Sequence, residues 1–289
     1  MSTADSPPAI DAVLVRRLVE AQFPQWAGLP LERVEPAGSD HVVHRLGGEL
    51  SVRLPQHRDA VGQAAKELRR LPRLAPRLPL AVPVPVALGE PGCGYPWPWA
   101  VSRWIEGETA TAEVLGDSVP AARALAGFLT ALVACPADGG GEVRAPLAER
   151  DAGTRAAIAA LAGVFDAGAM TALWNAALAA PAWGRAPVWC HGDLHTGNLL
   201  TARGELKAVI DFGELGLGDP ACDLTIAFTL MSSRSRTVFR TALGVDEDTW
   251  IRGRGWALAT GLNAYVAYAA TNPRVAAQTT RQITAALAG

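Results

Sequence analysis

The chain has 289 residues, 49% of them hydrophobic and 19% charged, with a formal net charge of −2. That length makes one large domain or two modest ones with ample material for a core, and the balanced charge, with no block of Lys or Arg, argues against a nucleic-acid partner. No apolar run reaches the roughly eighteen residues of a membrane span, and the opening MSTADSPPAIDAV lacks the basic start and apolar centre of a secretory leader, so a cytoplasmic protein without a membrane partner is expected.

Residues 10–22 carry Ile10, Val13, Leu14 and Leu18 at helical spacing, which predicts a helix. Residues 33–54 read as short strands broken by turns at Ala37-Gly38-Ser39-Asp40 and at Gly47-Gly48, the second a strong hairpin signal. A helix is predicted over 60–71 and closed by Pro72. Pro79, Pro83 and Pro85 then give an extended approach to Val84–Leu88, and another strand is expected over 99–105. Beyond residue 107 alanine-rich helical patterns dominate 119–135, 154–180, 220–243 and 249–287, interrupted by strands and a polar loop over 186–212. The change of character near Ile105-Glu106-Gly107 predicts two domains, 1–105 and 106–289. A ligand cleft is expected between two such lobes.

The four cysteines, Cys93, Cys135, Cys190 and Cys222, show no C-x-x-C spacing, which speaks against a zinc knuckle or a dithiol redox pair. Small buried hydrophobes are their expected role. The only lysines are Lys66 and Lys207.

Residues 190–223 hold the chemistry. Asp193 lies two residues after His191, Asn198 five after Asp193, and Asp211 thirteen after Asn198, at the end of the apolar strand Ala208-Val209-Ile210. Phosphoryl transfer needs alignment and charge neutralisation, with a base taking a hydroxyl proton late. Asp193 suits the base, while Asn198 and Asp211 offer the hard oxygen atoms that Mg²⁺ prefers. Gly213 is expected to permit a tight turn after the strand. Singly, each of these residues reads as a turn or helix cap; their joint occurrence points to the chemistry. A rival reading takes His191, Asp193 and His195 as an H-x-D-x-H grip on a transition metal, with Asp219 and Asp223 adding carboxylates. It leaves Asn198 unexplained, and the remaining histidines, His41, His44 and His57, lie far away in the chain.

The run His191-Gly-Asp193-Leu-His195-x-Gly-Asn198-Leu, then Ile210-Asp211-Phe-Gly213 and Gly218-Asp219-Pro220-x-x-Asp223-Leu224, resembles the aminoglycoside phosphotransferase family. The likeness extends through Gly89-Glu-Pro-Gly, Tyr95-Pro-Trp97-Pro-Trp99 and Arg103-Trp104. It implies an α+β, bilobal protein-kinase-like fold, with a small mixed N-lobe holding an antiparallel sheet and a larger, mainly helical C-lobe. It implies ATP or GTP with Mg²⁺, Asp193 as catalytic base, and Asn198 and Asp211 as metal ligands. His191 and His195 would brace the loop, and Asp219 and Asp223 would cap the next helix and tie the loop down. Strand 99–105 would lead to a hinge where backbone groups of Arg103, Trp104 and Ile105 meet the adenine edge.

Two departures stand out. The phosphate loop is reduced to Gly38-Ser39-Asp40, leaving Ser39 and backbone amides to cradle phosphate. The strand that carries a phosphate-pairing lysine in kinases reads Leu50-Ser51-Val52-Arg53-Leu54, so Arg53 takes that place, with Glu67 as its helix partner. Arginine keeps its charge and grips phosphate as a fork; a degenerate, non-catalytic kinase fold is the alternative this substitution raises. The acceptor is a small-molecule hydroxyl, an aminoglycoside as first guess, with macrolides, peptide antibiotics or amino alcohols as alternatives. Residues 108–289 hold 17 acidic against 14 basic residues, a weak signature for a polycation site. Glu214, and Asn263, Tyr265 and Tyr268 on a late helix, are the candidate substrate contacts. Asp246-Glu247-Asp248 fits an outer wall or, equally, a helix start. Either a monomer or a homodimer is compatible with this chain.

Overall fold

A computed structural model describes residues 9–35, 38–137 and 140–289; Ala37, in the first predicted turn, lies outside them. The chain forms two compact units. The first comprises Met1–Arg77, Ala81–Glu106 and Val209–Gly213, and the second Leu78–Leu80, Gly107–Ala208 and Glu214–Gly289.

In the first unit, helix α1 (Ala12–Gln22) opens where the Asp11 carboxylate accepts the Leu14 N–H at 2.8 Å, a standard N-cap. Strands β1 (Leu31–Arg33), β2 (His41–Leu46) and β3 (Leu50–Pro55) follow, then helix α2 (Gln63–Leu74) and strands β4 (Pro85–Gly89) and β5 (Trp99–Arg103). The five strands form an antiparallel sheet in the order β1-β2-β3-β5-β4. The β2–β3 hairpin turns at Gly47, whose φ of 63° lies in the region where a Cβ is disfavoured.

Because side chains alternate along a strand, β3 buries Leu50, Val52 and Leu54 against the apolar stripe of α1 (Leu14, Val15, Leu18, Val19) together with Trp99 and Val101. Ser51 and Arg53 then face the other way. Helix α2 does not stop at Pro72 but continues to Leu74. The ring removes one hydrogen bond close to the helix end, and the buried Leu71 and Leu74 on either side hold the last turn in place.

The second unit contains a short β6 (Glu108–Thr109), helices α3 (Ala112–Leu115), α4 (Val119–Val133), α5 (Asp151–Ala160) and α6 (Ala167–Ala179), strands β7 (Val188–Cys190), β8 (Leu199–Ala202), β9 (Glu205–Val209) and β10 (Gly216–Gly218), and helices α7 (Thr225–Thr229), α8 (Ser233–Leu243), α9 (Glu247–Tyr268) and α10 (Pro273–Ala288). β6, β8 and β9 form one small sheet, and β7 pairs with β10 in another. Its centre is α9, which contacts α5, α6, α7 and α10. Gly253 and Gly255 permit that packing: a Cβ on Gly253 would lie 2.7 Å from Leu224 Cβ, and one on Gly255 would lie 2.5 Å from Ala177 Cβ.

The long alanine-rich segments are each interrupted. The predicted helix 154–180 is two helices, the second begun by Asp166 accepting the Ala169 N–H at 2.9 Å. The predicted helix 249–287 breaks at Asn272-Pro273, where Asn272 caps α10 and proline takes its first turn, the position where its missing N–H costs nothing. Segment 220–243 splits into a 3-10 turn over Pro220–Leu224, then α7 and α8. Asp246 caps α9, with Glu247 and Asp248 in its first turn.

Candidate active site

On the face of β3 turned away from α1, the Arg53 guanidinium meets Glu67 of α2. One nitrogen donates to both carboxylate oxygens, at 2.8 and 3.0 Å. The other reaches Asp211 Oδ1 at 3.3 Å and His41 Nδ1 at 3.5 Å. Glu67 is fully buried and the Arg53 side chain is 12% exposed, whereas 43% of the Asp211 side chain remains open. Burial alone would lower the arginine pKa, but the charges of Glu67 and Asp211 outweigh it and raise it. Burial and the Arg53 charge push His41 down to about 3, so its ring is neutral.

Asp211 itself takes the left-handed backbone, with φ 62°. The freedom assigned above to Gly213 therefore belongs to Asp211, since short polar residues tolerate this region best after glycine. Gly213 has a different reason to be glycine: a Cβ there would collide with the Gln63 amide. That amide is held in turn by Asp40 Oδ2 at 3.0 Å. Ser39 donates its hydroxyl to Asp40 Oδ1 at 3.0 Å. Burial works against ionised Asp40, but its bonds from Gln63 and Ser39 leave its pKa lowered.

The hinge residues are more committed than their sequence implies. Arg103 N–H donates to Val84 at 2.9 Å and Trp104 N–H to Glu49 at 2.8 Å. The Trp104 indole donates to Glu106 at 3.0 Å, and Arg103 pairs with Glu49 at 3.4 Å. Ile105 follows half-buried.

In the second unit the loop after β7 is fastened from several sides. Asp223 accepts the N–H groups of His191 and Gly192, each at 2.7 Å. Buried His191 accepts the Asp193 N–H on Nδ1 at 3.3 Å. His195 Nδ1 accepts the Gly197 N–H at 3.0 Å, which leaves Nε2 facing Asp193 Oδ2 at 3.6 Å. The Asn198 amide nitrogen donates to the Asp193 carbonyl at 2.8 Å and to its Oδ2 at 3.4 Å; its amide oxygen is thereby left as the acceptor. Desolvation raises the Asp193 pKa, but bonds and charge from His195, charge from His191 and the bond from Asn198 leave it lowered overall. Asp193 is thus an ionised, oriented acceptor, more than half of its side chain open.

Asp219 accepts the Ala221 N–H at 3.0 Å and binds Arg252 Nε at 2.7 Å. Glu214 lies 3.7 Å from Arg144 through its carboxylate, and its backbone carbonyl accepts from the same guanidinium. Tyr265 stacks edge-on against Phe165, centroids 5.2 Å apart, while Asn263 and Tyr268 are exposed; no hydrogen bond of the described residues joins these three to the Asp193 loop. Among the described residues, His191, Asp193 and His195 do not bring three ligand atoms within 4.8 Å of one another. Among the described residues, the one group of three ligand-type side chains with atoms within 4.8 Å is Cys190, Cys222 and Asp223, all buried.

Sequence reasoning missed His41, Gln63 and Arg144. His41 had a signal: pairing β2 with β3 about the Gly47 turn sets Val43 opposite Arg53 and His41 opposite Pro55, on the Arg53 face. Arg144 had none, lying in the aperiodic stretch Gly141-Glu-Val-Arg144-Ala-Pro146.

The model of the phosphotransferase enzyme family, APH, matches residues 31–259, and the chain belongs to that family. It is a small-molecule phosphotransferase with the α+β, kinase-like fold. Among solved structures it is similar to the GDP and kanamycin complex of APH(2")-IIia, at 20% identity and a TM-score of 0.75, covering 95% of this chain and 98% of that one. It is also similar to the macrolide 2'-phosphotransferase MphH from Brachybacterium faecium, at 26% identity and a TM-score of 0.63 over 94% and 97% of the chains. A third likeness is to ADP-bound APH(2'')-Ib, at 14% identity and 0.61 over 96% and 98%. No curated protein sequence matches the chain. Among the described residues no helix is long and apolar enough to cross a membrane.

Proposed function

We propose that the protein transfers the γ-phosphoryl group of ATP or GTP to a hydroxyl of a small molecule, with an aminoglycoside as the first acceptor to test. The observation that supports a working rather than a degenerate kinase is the Arg53–Glu67 ion pair with the second Arg53 nitrogen on Asp211. A solvated strand arginine would not be locked to a buried glutamate. One Arg53 nitrogen is committed to Glu67, and the other, held less closely at 3.3 Å by Asp211 and 3.5 Å by His41, is the one to donate to phosphate oxygens. Ser39 and the neighbouring amides cradle phosphate, and Ile105 with the carbonyls of Arg103 and Trp104 meet the base, because the N–H groups of 103 and 104 are engaged.

The donor set fits Mg²⁺. Asp211 has an open carboxylate, and Asn198 turns its amide nitrogen to Asp193 and keeps its oxygen for a ligand; both are hard oxygen donors of the kind the ion takes beside substrate phosphates. When bound, the ion neutralises phosphate charge during transfer. Asp193 accepts the hydroxyl proton and aims the oxygen. His191 and His195 keep the loop in shape, and Asp219 and Asp223 anchor it. Glu214, Asn263, Tyr265 and Tyr268 remain the candidate acceptor contacts.

A macrolide acceptor is the second reading. It is favoured by the small surplus of acids in residues 108–289 and by the pairing of Glu214 with Arg144, since a polycation calls for uncompensated carboxylates. The test is a panel of aminoglycosides, macrolides, peptide antibiotics and amino alcohols with ATP and with GTP, alongside thermal shifts with and without Mg²⁺. Mg²⁺-dependent stabilisation by a nucleotide and turnover of one acceptor class are expected. Nucleotide binding without turnover of any acceptor would mark a pseudokinase, and indifference to nucleotide would overturn the reading.

A further inference from the structure

We infer that Arg144 is a positioning residue for Asp193, a role that rests on the reading of Asp193 as the base. Its backbone is built in first. The segment 142–144 runs along β10, with Leu217 N–H donating to Glu142 at 2.9 Å and Arg144 N–H donating to Leu217 at 2.8 Å. β10 is in turn paired with β7, the strand that delivers the catalytic loop.

From this anchor the side chain runs over glycines. A Cβ on Gly218 would lie 3.2 Å from Arg144 Cβ, one on Gly216 would lie 2.9 Å from its Cγ, and one on Gly192 would collide with its guanidinium. Three residues without side chains thus form the slot that it fills. Gly192 also has φ 86°, so a side chain there is excluded twice.

At the end of the slot the guanidinium divides its donors. One nitrogen bonds the Gly192 carbonyl at 3.1 Å and the other bonds the Glu214 carbonyl. The Gly192 carbonyl belongs to the peptide group that Asp193 completes, and the N–H of the same group rests on His191 Nδ1. The plane from which the Asp193 side chain projects is therefore held at both edges, by Arg144 and by His191. The second bond ties that plane to Glu214, which follows Gly213 directly in the chain. The remaining donor, Nε, is buried without a hydrogen-bond partner. This is an uncommon state in native proteins, and here the side chain's direction is dictated by its two carbonyl contacts. Only a planar fork satisfies both; a lysine ammonium has one nitrogen to place.

The test uses the full chain and Arg144→Met, Arg144→Lys and Asp193→Ala. Formation of nucleoside diphosphate from ATP and GTP with Mg²⁺ is followed with water, kanamycin and a macrolide as acceptors, together with nucleotide KM and thermal midpoint. Displacing a reacting group by about 1 Å costs on the order of 100-fold in rate. Arg144→Met is expected to lower kcat by about 10- to 100-fold at unchanged nucleotide KM, with Arg144→Lys recovering part of the loss. Hydrogen exchange of the peptide covering 189–194 should rise in Arg144→Met. A wild-type chain inactive with every acceptor, or an Asp193→Ala variant as active as wild type, overturns the reading of the base. Loss in Asp193→Ala with wild-type kcat in Arg144→Met overturns the role of Arg144 alone. So does a fall confined to KM, or a lysine variant no better than methionine.

Discussion

Replacing Arg53 by alanine removes the cation that faces the Glu67 carboxylate, a group with no solvent exposure. Removing one member of a buried ion pair costs about 3–5 kcal/mol, and protonation sets a ceiling. A carboxyl that titrates near about 4.3 when unfolded can be kept neutral in the fold at about 1.4 kcal/mol for each pH unit above that value. The expected loss is thus about 3.7 kcal/mol at pH 7 and about 1 kcal/mol at pH 5. The sign follows from a raised folded-state pKa for Glu67 in the variant: stability relative to wild type is retained in acid and lost as pH rises above the unfolded value. Urea unfolding followed by tryptophan fluorescence between pH 5 and 8 measures it. Arg53→Met with Glu67→Met should recover most of the stability, because an apolar pair of similar volume replaces a buried ion pair at little cost, yet bind nucleotide weakly. A loss in Arg53→Ala below about 1 kcal/mol at pH 7, with no dependence on pH, would refute the buried-pair argument.

Three further outcomes are expected. Asp193→Ala should lose about 100- to 10,000-fold in turnover, the range of a positioned base, while calorimetry finds nucleotide affinity within a factor of two or so. His41, depressed to about 3, binds its proton in the unfolded chain first, so it withdraws stability as pH falls below about 6.5. His41→Gln should therefore flatten the acid limb of the stability profile by about 2.7 kcal/mol at pH 4.5, and an unchanged slope would contradict the burial of a neutral ring. Gly213→Ala should cost about 1–3 kcal/mol through its clash with Gln63. Gln63→Ala in the same chain should relieve most of that cost, and strictly additive losses would show that the amide is not the obstacle.

Much of the first unit was legible because its rules are local. Two-residue alternation predicts that Arg53 and Val52 face opposite sides of β3, and a Gly-Gly pair marks the hairpin that sets its register. The loop from His191 to Asn198 was legible for a different reason, since few other structures need those residue types at those intervals. Helix boundaries were less so: alanine-rich stretches look continuous until a capping Asp166 or Asn272 takes the backbone N–H groups. Gly213 shows another limit, because its small size answers to Gln63, 150 positions away in the chain. Arg144 was invisible for the same kind of reason, its function being defined by three glycines and two carbonyls that only the fold assembles.

The arginine at the β3 position also changes how this enzyme can be detected and handled. With lysine present only at 66 and 207, acyl-phosphate nucleotide probes that label an active-site amine have no amine at residue 53 to capture. Dicarbonyl reagents, which condense with guanidinium groups, are the matching chemistry. Because the Arg53 charge persists well above the range in which lysine deprotonates, its ion pair with Glu67 also survives in alkaline buffers that would discharge an amine.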